Sequence, residues 1–194
     1  MIERMASTFT TYMVRKGAVP AEDEEVYLYG WALLLSTLGA TLSILLLGAV
    51  SGEFLGTLAY LGFLYLLRPY AGGYHAGTYF ACFWLTIASF VAALLFVLFW
   101  PQALMDWTLT LLLFSLAVTF AGAPVDHPNK PLKERAKKRN RKMSRIVILT
   151  QAIVIVSLWF WQPGLQQYLL WAMLGISMTS LTLLYVLIKP YPTL

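Results

Sequence analysis

Long uncharged stretches, broken by short clusters of charge, set the pattern of this chain. Residues Val26 to Val50 hold no charge, lying between Glu25 and Glu53. That is ample for one helix across a hydrocarbon core. Phe54 to Leu67 is uncharged but short, ending at Arg68. At ~1.5 Å per residue it falls short of a core of ~30 Å unless Arg68 snorkels or the bilayer thins. Thr78 to Trp100 is a third candidate, closed by Pro101, and Trp107 to Ala121 a fourth, closed by Gly122 and Pro124. The uncharged run from Ile146 to Ile188 is too long for one helix, and Gln162-Pro163-Gly164 divides it. The pattern predicts an all-α polytopic membrane protein with six transmembrane helices, over about 26–50, 54–67, 78–100, 107–121, 146–161 and 166–188. Backbone polar groups in lipid must be paired internally, and the alternation of a barrel strand is absent.

The first seventeen residues read differently. Ile2, Met5, Phe9, Tyr12 and Met13 recur near helical spacing, with Glu3, Arg4, Arg15 and Lys16 on other positions. This predicts an amphipathic helix lying in the membrane interface, about residues 2–17, rather than a cleavable signal. The length of 194 residues suits a single domain, 1–194.

Composition strengthens the membrane reading. Charged residues make up 12% of the chain, against about 25% in soluble domains. Charge also sets an expected orientation. Nine of the fourteen lysines and arginines lie between the fourth and fifth spans, among them Lys133, Arg135, Lys137, Lys138, Arg139, Arg141 and Lys142. Basic loops stay in the cytoplasm, so the segment 122–145 is expected there as a basic loop, with both termini and Arg68 on the same side. Such a cluster binds anionic lipid at ~1 kcal/mol per charge. It lacks the interleaved aromatics of a nucleic-acid surface, so no nucleic-acid partner is expected.

One stretch carries reactive residues. Arg68-Pro69-Tyr70-Ala71-Gly72-Gly73-Tyr74-His75 leads through Gly77 and Thr78 to Cys82, the only cysteine. A thiol becomes a nucleophile as the thiolate, and histidine is its usual base. On one continuous helix His75 and Cys82 would sit ~10.5 Å apart along the axis, too far for a hydrogen bond. Gly72, Gly73 and Gly77 argue against such a helix. With Thr78 as N-cap, Cys82 would stand near a helix N-terminus, where negative charge is favoured. Against this, a lone cysteine in a membrane helix is usually a small packing residue, and a lone histidine is often only hydrogen-bonded. On chemistry alone the two readings stand level.

Other templates fit worse. With two histidines and no H-E-x-x-H, a zinc protease of that type is excluded, and neither metal nor cofactor is expected. Ser177 in Gly175-Ile176-Ser177 has no histidine nearby in sequence. Glu24 and Glu25 precede the first span without a matching histidine pattern. His127, in His-Pro-Asn, reads as a turn residue. Asp126 and Glu134 are the acidic residues nearest the basic run, and Asp126 is a weak candidate for orienting His75.

The run Arg68-x-Tyr70-x-Gly72-Gly73-x-His75-Ala76, with Cys82 seven residues past the histidine, resembles the accessory gene regulator protein B family. The later Ala123-Pro124-Val125-Asp126-His127-Pro128-Asn129-Lys130-Pro131-Leu132 resembles that family's loop after its fourth helix. The resemblance implies a membrane cysteine endopeptidase of Gram-positive quorum sensing. It would remove the C-terminal segment of a small AgrD-like precursor peptide through an acyl-enzyme thioester, then promote closure to a thiolactone. Cys82 would be the nucleophile and His75 the base. Arg68, Gly72 and Gly73 would support them, Arg68 as a charge or carboxylate anchor and Gly73 as a hinge. The basic residues would hold lipid or the precursor's acidic tail, and self-association is left open. The alternative is a non-enzymatic peptide exporter or membrane scaffold.

Overall fold

The computed structural model describes residues 2–74, 76–125 and 132–189. Among these there are helices and turns and no strand. Seven α-helices follow in order: α1 (Ile2–Arg15), α2 (Glu24–Val50), α3 (Phe54–Ala71), α4 (Tyr79–Phe99), α5 (Leu109–Gly122), α6 (Glu134–Trp161) and α7 (Gln166–Ile188). Short 3-10 turns precede α2, α5 and α7. The chain divides into two compact units, Met1–Leu47 with Ala76–Phe90, and Gly48–His75 with Val91–Leu194.

Five segments are long and apolar enough to cross a membrane: Ala21–Val50, Tyr79–Phe99, Gln102–Gly122, Glu134–Trp161 and Pro163–Ile188. The expected short second span is also a helix, α3, but it is not one of the five. Its last turn carries Arg68 and Pro69, which lower its apolarity where length is already scarce. The expected basic loop 122–145 is narrower than the sequence suggests. Helix α6 begins at Glu134, so its first three turns carry most of the basic residues. The composition explains this: Ala, Lys, Arg and Glu propagate a helix well, and Glu134 in the first turn suits the helix dipole. The positive end of that dipole adds to the lysines and arginines there, so the turn is doubly electropositive.

The larger unit is built on α7 packed against α3, α5 and α6. Trp171, Met173, Ile176 and Leu183 of α7 are fully buried, as are Leu67 of α3 and Ile148 and Ile155 of α6. Lipid is as apolar as leucine, so contact area and close approach, more than hydrophobicity, hold such helices together. Gly175 shows the close approach. A Cβ there would strike the backbone carbonyl of Tyr60, so α3 and α7 touch through bare backbone. Hydroxyls add polar ties: Ser115 lies 3.1 Å from Ser177, and Thr119 3.3 Å from Ser180. At the end where α3 and α7 begin, Glu53 accepts bonds from Gln167 (2.8 Å) and Trp171 (3.0 Å). At the other end, Arg145 of α6 donates to the Phe120 carbonyl near the end of α5 (3.1 Å) and lies over the Phe120 ring. A cation there answers a carbonyl that the helix itself leaves open.

The smaller unit holds α1 against α2. Phe9 stacks on Trp31 at 5.5 Å, and the Trp31 indole donates to the Met13 sulfur. Ala6 and Thr10 are buried on the same face of α1. The first turns of α4 meet α2 where Ser36 donates to the Tyr79 carbonyl, at 3.3 Å.

Candidate functional site

The segment between α3 and α4 is not helical over Gly72–Tyr74 and Ala76–Thr78, as its glycines predict. The chain leaves α3 by a left turn: Gly72 has φ +76° and Gly73 φ +139°, both favouring glycine. Three sets of contacts hold this exit. The Val125 amide donates to the Ala71 carbonyl (3.1 Å), and a Cβ on Gly72 would lie 2.6 Å from the Val125 oxygen. The Tyr74 amide donates to the carbonyl of Thr182 on α7 (3.1 Å). Arg68 closes the arrangement, one guanidinium nitrogen donating to the Thr182 hydroxyl (2.7 Å), the other to the Tyr74 carbonyl (2.8 Å). The Tyr74 ring meets Tyr185 edge-on at 4.9 Å.

Gly73 sits inside this knot. A Cβ would stand 2.5 Å from the Thr182 hydroxyl and 3.1 Å from the Arg68 guanidinium. The geometry thus gives Gly73 a close-approach role, in which its bare backbone leaves room for Arg68 to reach Thr182. Arg68 in turn commits two donors to protein acceptors, which its planar fork suits better than a lysine ammonium would.

Cys82 lies in the smaller unit, half-buried in the first turn of α4. Thr78 caps that helix: its hydroxyl accepts from the Ala81 amide (3.1 Å), its carbonyl from the Cys82 amide (3.0 Å). This is the N-cap expected from the sequence. Thr86 donates back to the Cys82 carbonyl at 2.8 Å. One turn earlier, Tyr79 lines an open groove of about 800 Å³ shared with Glu3, Arg4, Glu25 and Tyr29. Residues three apart share a helix face, so Cys82 and Tyr79 lie on the same side of α4.

His75, Asp126 and His127 lie outside the described residues. Lys133, Arg135, Lys138 and Arg139 are described and distributed along the start of α6, with Lys133 its N-cap. Among the described residues no group of three His, Cys, Asp or Glu is arranged for a metal ion. Thr182 and Tyr74 enter the site only through the structure. A polar residue inside an apolar helix signals Thr182 as worth attention, but nothing in the sequence pairs it with Arg68, 114 residues earlier.

Residues 6–183 match the family described as accessory gene regulator B. The chain is 28% identical to "Accessory gene regulator protein B" of Staphylococcus aureus (strain MRSA252), covering 91% of this chain and 90% of that protein. It is 26% identical to a "Putative AgrB-like protein" of Clostridium perfringens (strain SM101), covering 96% and 92%. A "Putative AgrB-like protein 2" of Clostridium perfringens (strain 13) is 29% identical over 77% of this chain and 73% of its own length. No solved structure matches the chain.

Proposed function

The chain belongs to the accessory gene regulator B family, and from that premise we propose a membrane cysteine endopeptidase of a quorum-sensing system, with Cys82 as nucleophile and His75 as base. The observation that carries the reading is local. The chain's one thiol stands in the first turn of a capped helix, beyond a glycine exit whose backbone is fixed by Arg68. A helix N-terminus tolerates negative charge as it develops, on the sulfur or on a carbonyl oxygen.

In this reading His75 takes the Cys82 proton and the sulfur attacks a peptide carbonyl of the precursor. The carbon–nitrogen bond breaks, the leaving amine takes the proton from the imidazolium, and the N-terminal part stays on Cys82 as a thioester. An internal cysteine of the precursor then attacks that thioester. The new carbon–sulfur bond closes a thiolactone, and Cys82 recovers its proton. Holding both reactants in one bound peptide favours this exchange over attack by water.

The test is precursor cleavage by Cys82→Ala and His75→Ala, each inserted at wild-type level in membranes. Both should lose cleavage by at least a hundredfold, in line with removal of a nucleophile or its base. Cleavage persisting in Cys82→Ala would favour an exporter or scaffold instead.

The proposal includes a cytoplasmic site and α3 as a sixth crossing. At ~1.5 Å per residue α3 is about 27 Å long, close to the core thickness, with Arg68 at its edge. In a Cys82→Ala background, a cysteine at the exposed Lys138 should label only from the cytoplasm, and one at Gln162 only from outside. Labelling of position 138 from outside contradicts this orientation.

A further inference from the structure

We propose that Thr182 is a positioning residue, which with Arg68 fixes the backbone of Tyr74 at the exit from α3. The inference deepens the proposed function, since the residue after Tyr74 in sequence is the proposed base, His75. Both polar backbone groups of Tyr74 are held from α7 and α3: its amide by the Thr182 carbonyl and its own carbonyl by Arg68. A peptide unit is planar, and the Tyr74 carbonyl belongs to the plane that ends at the Cα of residue 75. A bond to this carbonyl therefore holds Tyr74 from its carbonyl side. The amide bond does the same from the preceding plane, and the ring contact with Tyr185 fixes the side chain.

Thr182 serves this arrangement twice. Its carbonyl receives the Tyr74 amide, and its hydroxyl receives the Arg68 guanidinium that holds the Tyr74 carbonyl. The hydroxyl is itself aimed, since it donates to the Thr179 carbonyl at 2.9 Å. A hydroxyl that donates back along its helix and accepts from a neighbour is set in one rotamer. The base beneath it is rigid: Leu183 is fully buried and Val186 nearly so. Gly73 lacks the Cβ that would separate the two partners. The packed face of α7 thus reaches, through a hydroxyl and a guanidinium, to the backbone before His75.

The experiment uses the full-length protein in membranes with its precursor peptide, comparing Thr182→Val, Thr182→Ser and, as a hydroxyl-loss control, Thr110→Val on exposed helix surface. Thr182→Val should lower kcat about tenfold to a hundredfold, the scale of a displaced catalytic group, with KM within about twofold. Thr182→Ser should recover most of the loss, and Thr110→Val should match wild type. A second readout needs no substrate: alkylation of Cys82 by iodoacetamide across pH should move in Thr182→Val toward the profile of His75→Ala. In a double-mutant cycle Arg68→Lys and Thr182→Val together should cost little more than either alone. Should Thr182→Val not accumulate, Thr182→Ala carries the same readings.

Wild-type kcat and alkylation profile in the hydroxyl-less variant overturn the inference. So do equal losses in Thr182→Val and Thr182→Ser, which would mean packing alone, or fully additive losses in the cycle. Cleavage surviving in Cys82→Ala would instead overturn the peptidase reading, and the alkylation profile would then judge the positioning role by itself.

Discussion

The two units of this molecule hold their candidate site residues by different means. In the larger unit, α7 is buried along most of its length, and the Gly72–Tyr74 exit is tied to it by backbone, hydroxyl and guanidinium. In the smaller unit, the first turn of α4, which bears Cys82, has the Thr78 cap and meets α2 where Ser36 bonds the Tyr79 carbonyl. Phe80 and Trp84 on that helix are exposed, as suits a surface facing lipid. The difference teaches where rigidity is invested. The loop that must take an unusual backbone path is over-determined, as strained backbone requires. The thiol stands at the end of a regular helix, which capping supplies at little cost in packing.

The contrast can be broken by adding one methyl group to each unit. Gly175→Ala puts a Cβ against the Tyr60 carbonyl, whose backbone cannot swing aside. It should lower stability by about 1–3 kcal/mol, read as a drop in Tm in detergent. Gly30→Ala in α2 meets nothing within 4 Å and should raise stability by up to ~1 kcal/mol through helix propensity. Equal effects at both positions would remove the distinction drawn between the units.

A smaller effect sharpens the same comparison. Thr78→Ala removes the cap of α4 and should cost that helix end about 1 kcal/mol. Amide exchange at Tyr79 to Cys82 should quicken about fivefold, while the global Tm stays put. If the whole protein loses Tm instead, α4 is more firmly coupled to the rest than its burial indicates.

What the sequence disclosed follows from how local each feature is. Uncharged runs and the breaks at Pro101 and Gln162-Pro163-Gly164 placed the helices well, because length and charge act residue by residue. The start of α6 was misjudged: its basic residues looked like a loop, yet they are good helix formers and a helix can continue out of the lipid. The nonhelical exit at Gly72 and Gly73 and the Thr78 cap were legible from residue type alone. The tie from Arg68 to Thr182 was not, since it spans 114 residues and arises only once α3 and α7 pack. Close-approach glycines such as Gly175 are equally silent, because the sequence does not say which backbone lies opposite.

The central claim is that Cys82 carries the peptide as a thioester. It is tested most directly by the intact mass of the enzyme after reaction with a precursor whose internal cysteine is replaced by alanine. With no thiol to receive the acyl group, a covalent adduct of the N-terminal fragment should build up on the wild-type protein, disappear with hydroxylamine, and be absent from Cys82→Ala. Rapid release of linear peptide with no adduct would mean hydrolysis without a held intermediate and would contradict the account.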